Sequence, residues 1–160
     1  MSTANELSHL DASGAARMVD VSAKDVTART AVASGVVRTT PEVIDLLRAG
    51  GLPKGDALAT ARLAGIMAAK HTPDLVPLCH PIAITGVTVD LVVRDTEVAI
   101  VATVRTTDRT GVEMEALTAV AGAGLALHDM IKAVDPAAVL DAVRVERKEG
   151  GKTGLWVREP

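Results

Sequence analysis

The chain has 160 residues, of which 48% are hydrophobic and 23% charged, and its formal net charge is −3. This balance indicates one globular domain and excludes a disordered chain. With no Phe or Tyr, one Trp and no basic excess, the chain lacks the cationic groove and stacking platforms of a single-stranded nucleic-acid binder. A phosphorylated small molecule stays open as a ligand, because local lysines and arginines can bind it without net basicity.

Two further features of the composition bear on assembly and compartment. A core filled only by aliphatic side chains predicts close backbone approach and an oligomer that extends the buried surface. One cysteine excludes an internal disulfide framework, and no secretory pattern opens the sequence. The longest nearly apolar run, 116–127, is too short to cross a bilayer. We therefore expect a cytoplasmic protein with no membrane partner.

The first part of the chain predicts few regular elements. Residues 1–15 are polar and small, and we expect them, like 155–160, to be flexible ends of a single domain spanning 1–160. The alternating valines of MVDVS (18–22) predict a strand. The β-branched stretch 27–40 favours an extended conformation.

Two helices are predicted next. Thr40 as N-cap and Pro41 at the first helical position begin a short helix, which the Gly-Gly pair at 50–51 ends. After a loop over 52–56, good helix formers predict a second helix over 57–70.

The second half of the chain predicts two strands, a long helix and a last strand. The strands run over 87–93 and 98–104, a helix follows over about 113–134, and VLDAVRVERK (139–148) alternates again. The resulting βαββαβ order predicts a ferredoxin-like α+β sandwich, an antiparallel sheet with helices on one face. The long helix is apolar almost all round, which indicates a subunit interface.

The only cysteine, Cys79, lies beside His80 between two prolines in LVPLCHP. Structural zinc needs four ligands in paired spacing, which this chain lacks. Neighbours in an extended segment point to opposite faces, so His80 is badly placed to activate Cys79 as a nucleophile. A packed cysteine beside a polar histidine and a ligand-facing His80 both remain open.

Charged residues flank the long helix at both ends. Asp129 and Lys132 are three residues apart and share a face, either as an ordinary surface pair or as an acid–base pair. Glu113 and Glu115 suit the positive end of the helix dipole but do not share a face. Five scattered cations are either solvated or converge on one pocket for an anion, and they are Arg29, Lys54, Lys70, Lys148 and Lys152.

Six segments, in register from about residue 8 to 154, resemble the signatures of the cyclic pyranopterin monophosphate synthase family, molybdenum cofactor biosynthesis protein C (MoaC). They are MVDVS, GGLPKGDALATARLAGIMAAK, LVPLCHP, RTGVEMEALTA, HDMIKAV and VRVERKEGGKTG. Single fragments of this kind are weak signals, but six in register are highly specific.

The resemblance implies an activity and an assembly. The family converts 3′,8-cyclo-7,8-dihydro-GTP into cyclic pyranopterin monophosphate and diphosphate in molybdenum cofactor biosynthesis. It implies a ferredoxin-like fold and a homohexamer, a trimer of dimers, with active sites between subunits. No cofactor is required by the sequence, and Mg²⁺ accompanying the triphosphate stays open.

The resemblance also implies site residues. The family's D-M-x-K motif falls on Asp129 and Lys132, the acid–base pair, and its K-G-D motif puts a further catalytic lysine at Lys54. The substrate-binding residues implied by the L-C-H and E-M-E motifs and by two basic positions are Leu78, Cys79, His80, Glu113, Met114, Glu115, Arg29 and Lys148.

The chain departs from the family pattern in two places. The family often has an aromatic residue before the D-M-x-K motif, where this chain has His128, which could alter the local pKa of Asp129. No motif covers the tail after Gly154. The main alternative to the synthase function is a ferredoxin-like oligomer that binds a nucleotide without converting it. A purely structural subunit is a further alternative.

Overall fold

The computed structural model describes residues 8–52 and 54–160, so residues 1–7 and Pro53, parts of the predicted N-terminal end and of the 52–56 loop, lie outside the description. The elements in chain order are β1 (Thr27–Arg38), α1 (Pro41–Ala49), α2 (Ala57–Lys70), α3 (Thr72–Leu75), β2 (Ile84–Val93), β3 (Glu97–Asp108), α4 (Glu113–Ile131), β4 (Val139–Glu149) and β5 (Trp156–Val157).

The strands form one antiparallel sheet in the order β2-β3-β1-β4-β5. The helices α2 and α4 pack on each other and over one face of this sheet. Alternate residues of β1, from Ala31 through Ala33 to Val37, are buried beneath them, as period-two alternation requires. The predicted ferredoxin-like α+β sandwich is confirmed, and the short strand β5 adds the chain's tail to its edge.

Local sequence signals set several boundaries. The hydroxyl of Thr40 accepts the Val43 N–H and caps α1, and Gly50 ends that helix with a φ of 68°. The helix α2 spans its predicted residues, while α4 ends at Ile131, slightly before the predicted 134.

The predicted strand over MVDVS is wrong. Residues 18–22 form no strand, although Val19 and Val21 alternate as a strand would. A strand requires a neighbouring strand to receive its backbone hydrogen bonds. Here the Val19 carbonyl oxygen instead accepts a hydrogen bond from a side chain, that of His80.

Glycine and alanine bring α2 and α4 close together. A Cβ added at Gly65 would lie 2.8 Å from the Ala119 carbonyl oxygen, and one at Gly122 would clash with the Ala68 Cβ. A core without Phe or Tyr is therefore filled by close backbone approach, as the composition predicted. No helix in the described ranges is long and apolar enough to cross a membrane.

We expect Gly65→Ala to destabilise the fold by about 1–3 kcal/mol, because the added methyl forces α2 away from a backbone carbonyl. Thermal or urea unfolding measures the change. Gly86→Ala is the matched control, since a Cβ there meets nothing within 4 Å, and it should change stability much less. Equal effects of the two substitutions would show that the close packing of α2 on α4 at Gly65 does not determine stability.

Candidate active site

The long helix α4 carries a group of predicted site residues at each end. Glu113, Met114 and Glu115 lie in its first turn, and Asp129 lies in its last. The 14 residues from Glu115 to Asp129 correspond to roughly 21 Å along the helix axis. The two groups are therefore far apart within one chain.

At the C-terminal end, Asp129 binds two lysines. Its Oδ1 lies 2.6 Å from the Lys132 Nζ and its Oδ2 lies 2.8 Å from the Lys54 Nζ. The hydrogen bond from Lys132, followed by that from Lys54, lowers the pKa of Asp129 to about 2. Each of the three side chains is about half exposed, so this cluster adds little to stability.

We call these three residues the lysine–aspartate cluster. The low pKa keeps Asp129 ionised at neutral pH, so its carboxylate holds two ammonium groups side by side. The same low pKa makes Asp129 a weak proton acceptor. Two adjacent ammonium groups can donate hydrogen bonds to phosphate oxygens or protons to a reacting group. The arrangement suits the chemistry of an anionic substrate.

At the N-terminal end of α4 lies a cavity of about 750 Å³, which we call the LCH pocket. Five predicted substrate-binding residues line it together: Leu78, Cys79, His80, Glu113 and Met114. The pocket also includes His9, Ile82, Thr110 and Gly111, which the sequence analysis did not single out. Thr110 and Gly111 lie in the turn directly before the E-M-E motif, and this position in the sequence could have indicated that they line the pocket.

The hydrogen bond of His80 fixes its tautomer. Its Nε2 lies 2.6 Å from the Val19 carbonyl oxygen, which can only accept, so Nε2 carries a proton. When neutral, the ring therefore presents Nδ1 as an acceptor, and it can donate to a phosphate oxygen only when Nδ1 is protonated too. His80 thus fastens the 18–22 segment beside the pocket as well as lining it.

Cys79, which lines the pocket and is partly buried, contacts the buried Glu115. The Cys79 Sγ donates to the Glu115 Oε1 at 3.5 Å. Burial, together with the neighbouring Glu115 carboxyl, raises the pKa of the Cys79 thiol to about 11. The thiol is therefore protonated at neutral pH, which agrees with the sequence-based argument against a nucleophilic cysteine.

The two basic positions predicted to bind the triphosphate, Arg29 and Lys148, lie together with Glu113 around a small cleft. The Arg29 guanidinium donates to the Asp108 carbonyl from Nε at 3.0 Å and to the Arg109 carbonyl from Nη2 at 3.2 Å. Its donors thus hold the turn before α4, while Lys148 pairs with Glu113 at 3.3 Å.

The structure therefore brings the predicted residues together in two places. One is the LCH pocket with Glu115, Arg29 and Lys148 beside it, and the other is the lysine–aspartate cluster. Among the described residues, no group of three or more His, Cys, Asp or Glu side chains could hold a metal ion.

Comparison with known proteins gives concordant matches. The model of the MoaC family matches residues 18–151. A cyclic pyranopterin monophosphate synthase of Streptomyces coelicolor is 67% identical over 154 residues, covering 96% of this chain and 91% of that protein. A protein of the same name from a Nocardioides strain is 66% identical, over 95% of this chain and 95% of its own length. Another, from a Roseiflexus strain, is 58% identical, over 97% of this chain and 99% of its own length.

Substitutions of His80 should show whether its hydrogen bond to Val19 holds the 18–22 segment in place. In His80→Gln the side-chain amide nitrogen can take the place of Nε2 and still donate to Val19, whereas His80→Ala loses this hydrogen bond. We expect amide hydrogen exchange in residues 18–22 to accelerate in the alanine variant by at least about tenfold, and much less in the glutamine variant. Equal exchange in all three proteins would show that His80 does not hold this segment.

Proposed function

The chain belongs to the MoaC family, and we propose from this membership that it is a cyclic pyranopterin monophosphate synthase, a lyase-type enzyme of molybdenum cofactor biosynthesis. The observation that supports this most strongly is near full-length similarity, at up to 67% identity, to proteins of that name. The substrate we propose is 3′,8-cyclo-7,8-dihydro-GTP, and the second product is diphosphate.

The proposed reaction sets clear chemical requirements. A hydroxyl attacks the α-phosphorus, the bond from that phosphorus to the bridging oxygen of the diphosphate breaks, and diphosphate leaves with the electron pair. This step needs a proton acceptor for the hydroxyl and positive charge at the leaving group. The rearrangement of the purine ring needs proton transfers as well.

We assign the charge and proton roles to the lysine–aspartate cluster. Lys132 and Lys54 are both held by Asp129 within 3 Å, so two ammonium groups lie close together and can act on the same phosphate group of the substrate. Lys132 would move protons during the rearrangement, with Lys54 assisting and Asp129 as the partner of both. The low pKa of Asp129 supports a division of labour in which the lysines carry the protons and Asp129 orients them.

The LCH pocket would hold the guanine-derived ring. Leu78, Cys79 and Met114 supply apolar walls for a flat ring, and Glu113 and His80 supply polar groups at its edges. Arg29 and Lys148, at the neighbouring cleft, would face the triphosphate, with His80 contributing when it is protonated on Nδ1. A Mg²⁺ ion would arrive on the phosphate oxygens of the substrate.

The separation of the two groups leads to a proposal about assembly. The lysine–aspartate cluster and the LCH pocket lie at opposite ends of α4, on which Glu115 and Asp129 are separated by roughly 21 Å along the helix axis. The reacting ring and α-phosphorus of one substrate lie much closer together than that. We therefore propose that each complete site joins the cluster of one subunit to the pocket of another, in a homo-oligomer such as a trimer of dimers.

Activity with the purified protein tests the proposed reaction. Incubation with 3′,8-cyclo-7,8-dihydro-GTP should release diphosphate and form the pterin product, and Lys132→Ala and Asp129→Asn should each lower turnover by at least about 100-fold. Lys70→Ala, at the end of α2, is the matched control and should keep it. Tight binding without diphosphate release would instead support a nucleotide-binding protein.

Mixing two inactive variants tests the shared site. Lys132→Ala damages the lysine–aspartate cluster, and Glu113→Ala damages the LCH pocket; each of these is one half of the shared site. A dimer with one subunit of each variant therefore contains one intact site and one site with both halves damaged. If subunits exchange at random, about half of the dimers are hybrid and about a quarter of the wild-type activity returns. No recovery, with hybrids demonstrated by mass spectrometry, would place both half-sites in one subunit.

A further inference from the structure

Glu115 is a buried carboxyl with an unused oxygen. The residue is 1% exposed, and its Oε2 has no hydrogen-bond partner among the described residues. Its Oε1 accepts a hydrogen bond from the Cys79 Sγ, a weak donor, at 3.5 Å. The neighbouring carboxyl of Glu113 has Lys148 at 3.3 Å, whereas Glu115 forms no ion pair within the described ranges.

This environment disfavours a negative charge. An ionised carboxylate that is buried without a cation or strong donors loses its hydration and regains little in return. Burial raises the pKa of Glu115, against smaller lowering contributions from its own backbone N–H and from Cys79, and the charge of Glu113 raises it further. Among the described residues, the titratable side chains that affect this pKa are Cys79, from the loop before β2, and Glu113, from α4.

The thiol contact indicates where a proton would sit. The Cys79 thiol keeps its own proton at neutral pH and donates it to Oε1. Oε1 then behaves as the carbonyl oxygen of a carboxylic acid, and Oε2 is the oxygen left to carry the O–H. A buried O–H without an acceptor is an incomplete hydrogen bond, and its carboxyl contacts Cys79, which lines the LCH pocket.

We propose that Glu115 is a neutral carboxylic acid in the ligand-free protein at neutral pH, and that its Oε2–H donates a hydrogen bond to an acceptor atom of the bound ring. The acceptor would be a carbonyl oxygen or an unprotonated nitrogen of the guanine-derived ring, so this inference rests on the proposed function. Cys79 is then a positioning residue, which fixes the carboxyl through Oε1.

Infrared difference spectroscopy of the ligand-free protein tests the protonation state without any substrate. The difference between the wild type and Glu115→Gln at neutral pH should contain the carbonyl band of a protonated carboxylic acid. Glu113→Gln is the matched control, because Glu113 is paired with Lys148 and its replacement should remove carboxylate bands. Carboxylate bands in the Glu115→Gln difference would overturn the proposal.

The pH dependence of unfolding gives a second readout. With its pKa raised in the folded protein, Glu115 keeps a proton that the unfolded chain releases above the ordinary glutamate pKa. The wild type should therefore lose stability relative to Glu115→Gln as pH rises above that ordinary value. A stability difference that stays constant with pH, or changes in the opposite direction, would contradict a neutral Glu115.

Activity tests the hydrogen bond to the ring. Glutamine keeps a donor and a carbonyl, so Glu115→Gln should lose less than about tenfold in kcat/KM, whereas Glu115→Ala should lose about 100-fold. Cys79→Ser, which keeps a donor to Oε1, should be more active than Cys79→Ala. Equal losses for glutamine and alanine in folded proteins would overturn the donor role. An inactive wild type would contradict the proposed function, while spectroscopy would still decide the protonation state.

Discussion

The arrangement of the site depends on how closely α2 packs against α4. Gly65 lies against Ala119 and Ala123, and Gly122 lies against Ala68, so the two backbones approach without large side chains between them. This packing places the residues just before α2 beside the end of α4, where Lys54 reaches Asp129. A larger residue at Gly65 or Gly122 would force α2 away from α4, and Lys54 lies just before α2. The composition, poor in aromatics, is thus matched to the geometry of the charged cluster.

Sequence patterns predicted the elements better than the contacts between them. The cap at Thr40, the glycine at the end of α1 and the alternation of the strands act locally, so the βαββαβ order could be predicted and is confirmed. The contact of Lys54 with Asp129 joins residues 75 positions apart, and only the packing of α2 on α4 creates it. MVDVS was misread because its alternation is a local property, whereas a strand needs a partner. The roles of the site residues came from resemblance to a family, and spacing alone left each of them ambiguous.

The two ends of α4 use charge in opposite ways. At one end, Asp129 is exposed, ionised and bound by two lysines, so water and counter-charges stabilise it. At the other end, Glu115 is buried, contacts a thiol and has no cation beside it among the described residues, which favours a neutral acid. Phosphate groups and a flat heterocyclic ring differ in the same way, one highly charged and the other largely apolar with polar edges. The protein thus offers a separate environment suited to each part of a nucleotide-derived molecule.

The length of α4 has a consequence for how this chain can change during evolution. An α-helix turns by about 100° and advances by about 1.5 Å per residue, so a single inserted or deleted residue between Glu115 and Asp129 would rotate one end against the other by more than a quarter turn. Substitutions on the exposed positions of α4, such as Leu125, leave that relation intact. We therefore expect homologous chains to vary in the side chains of this helix while preserving the number of residues between its two charged ends.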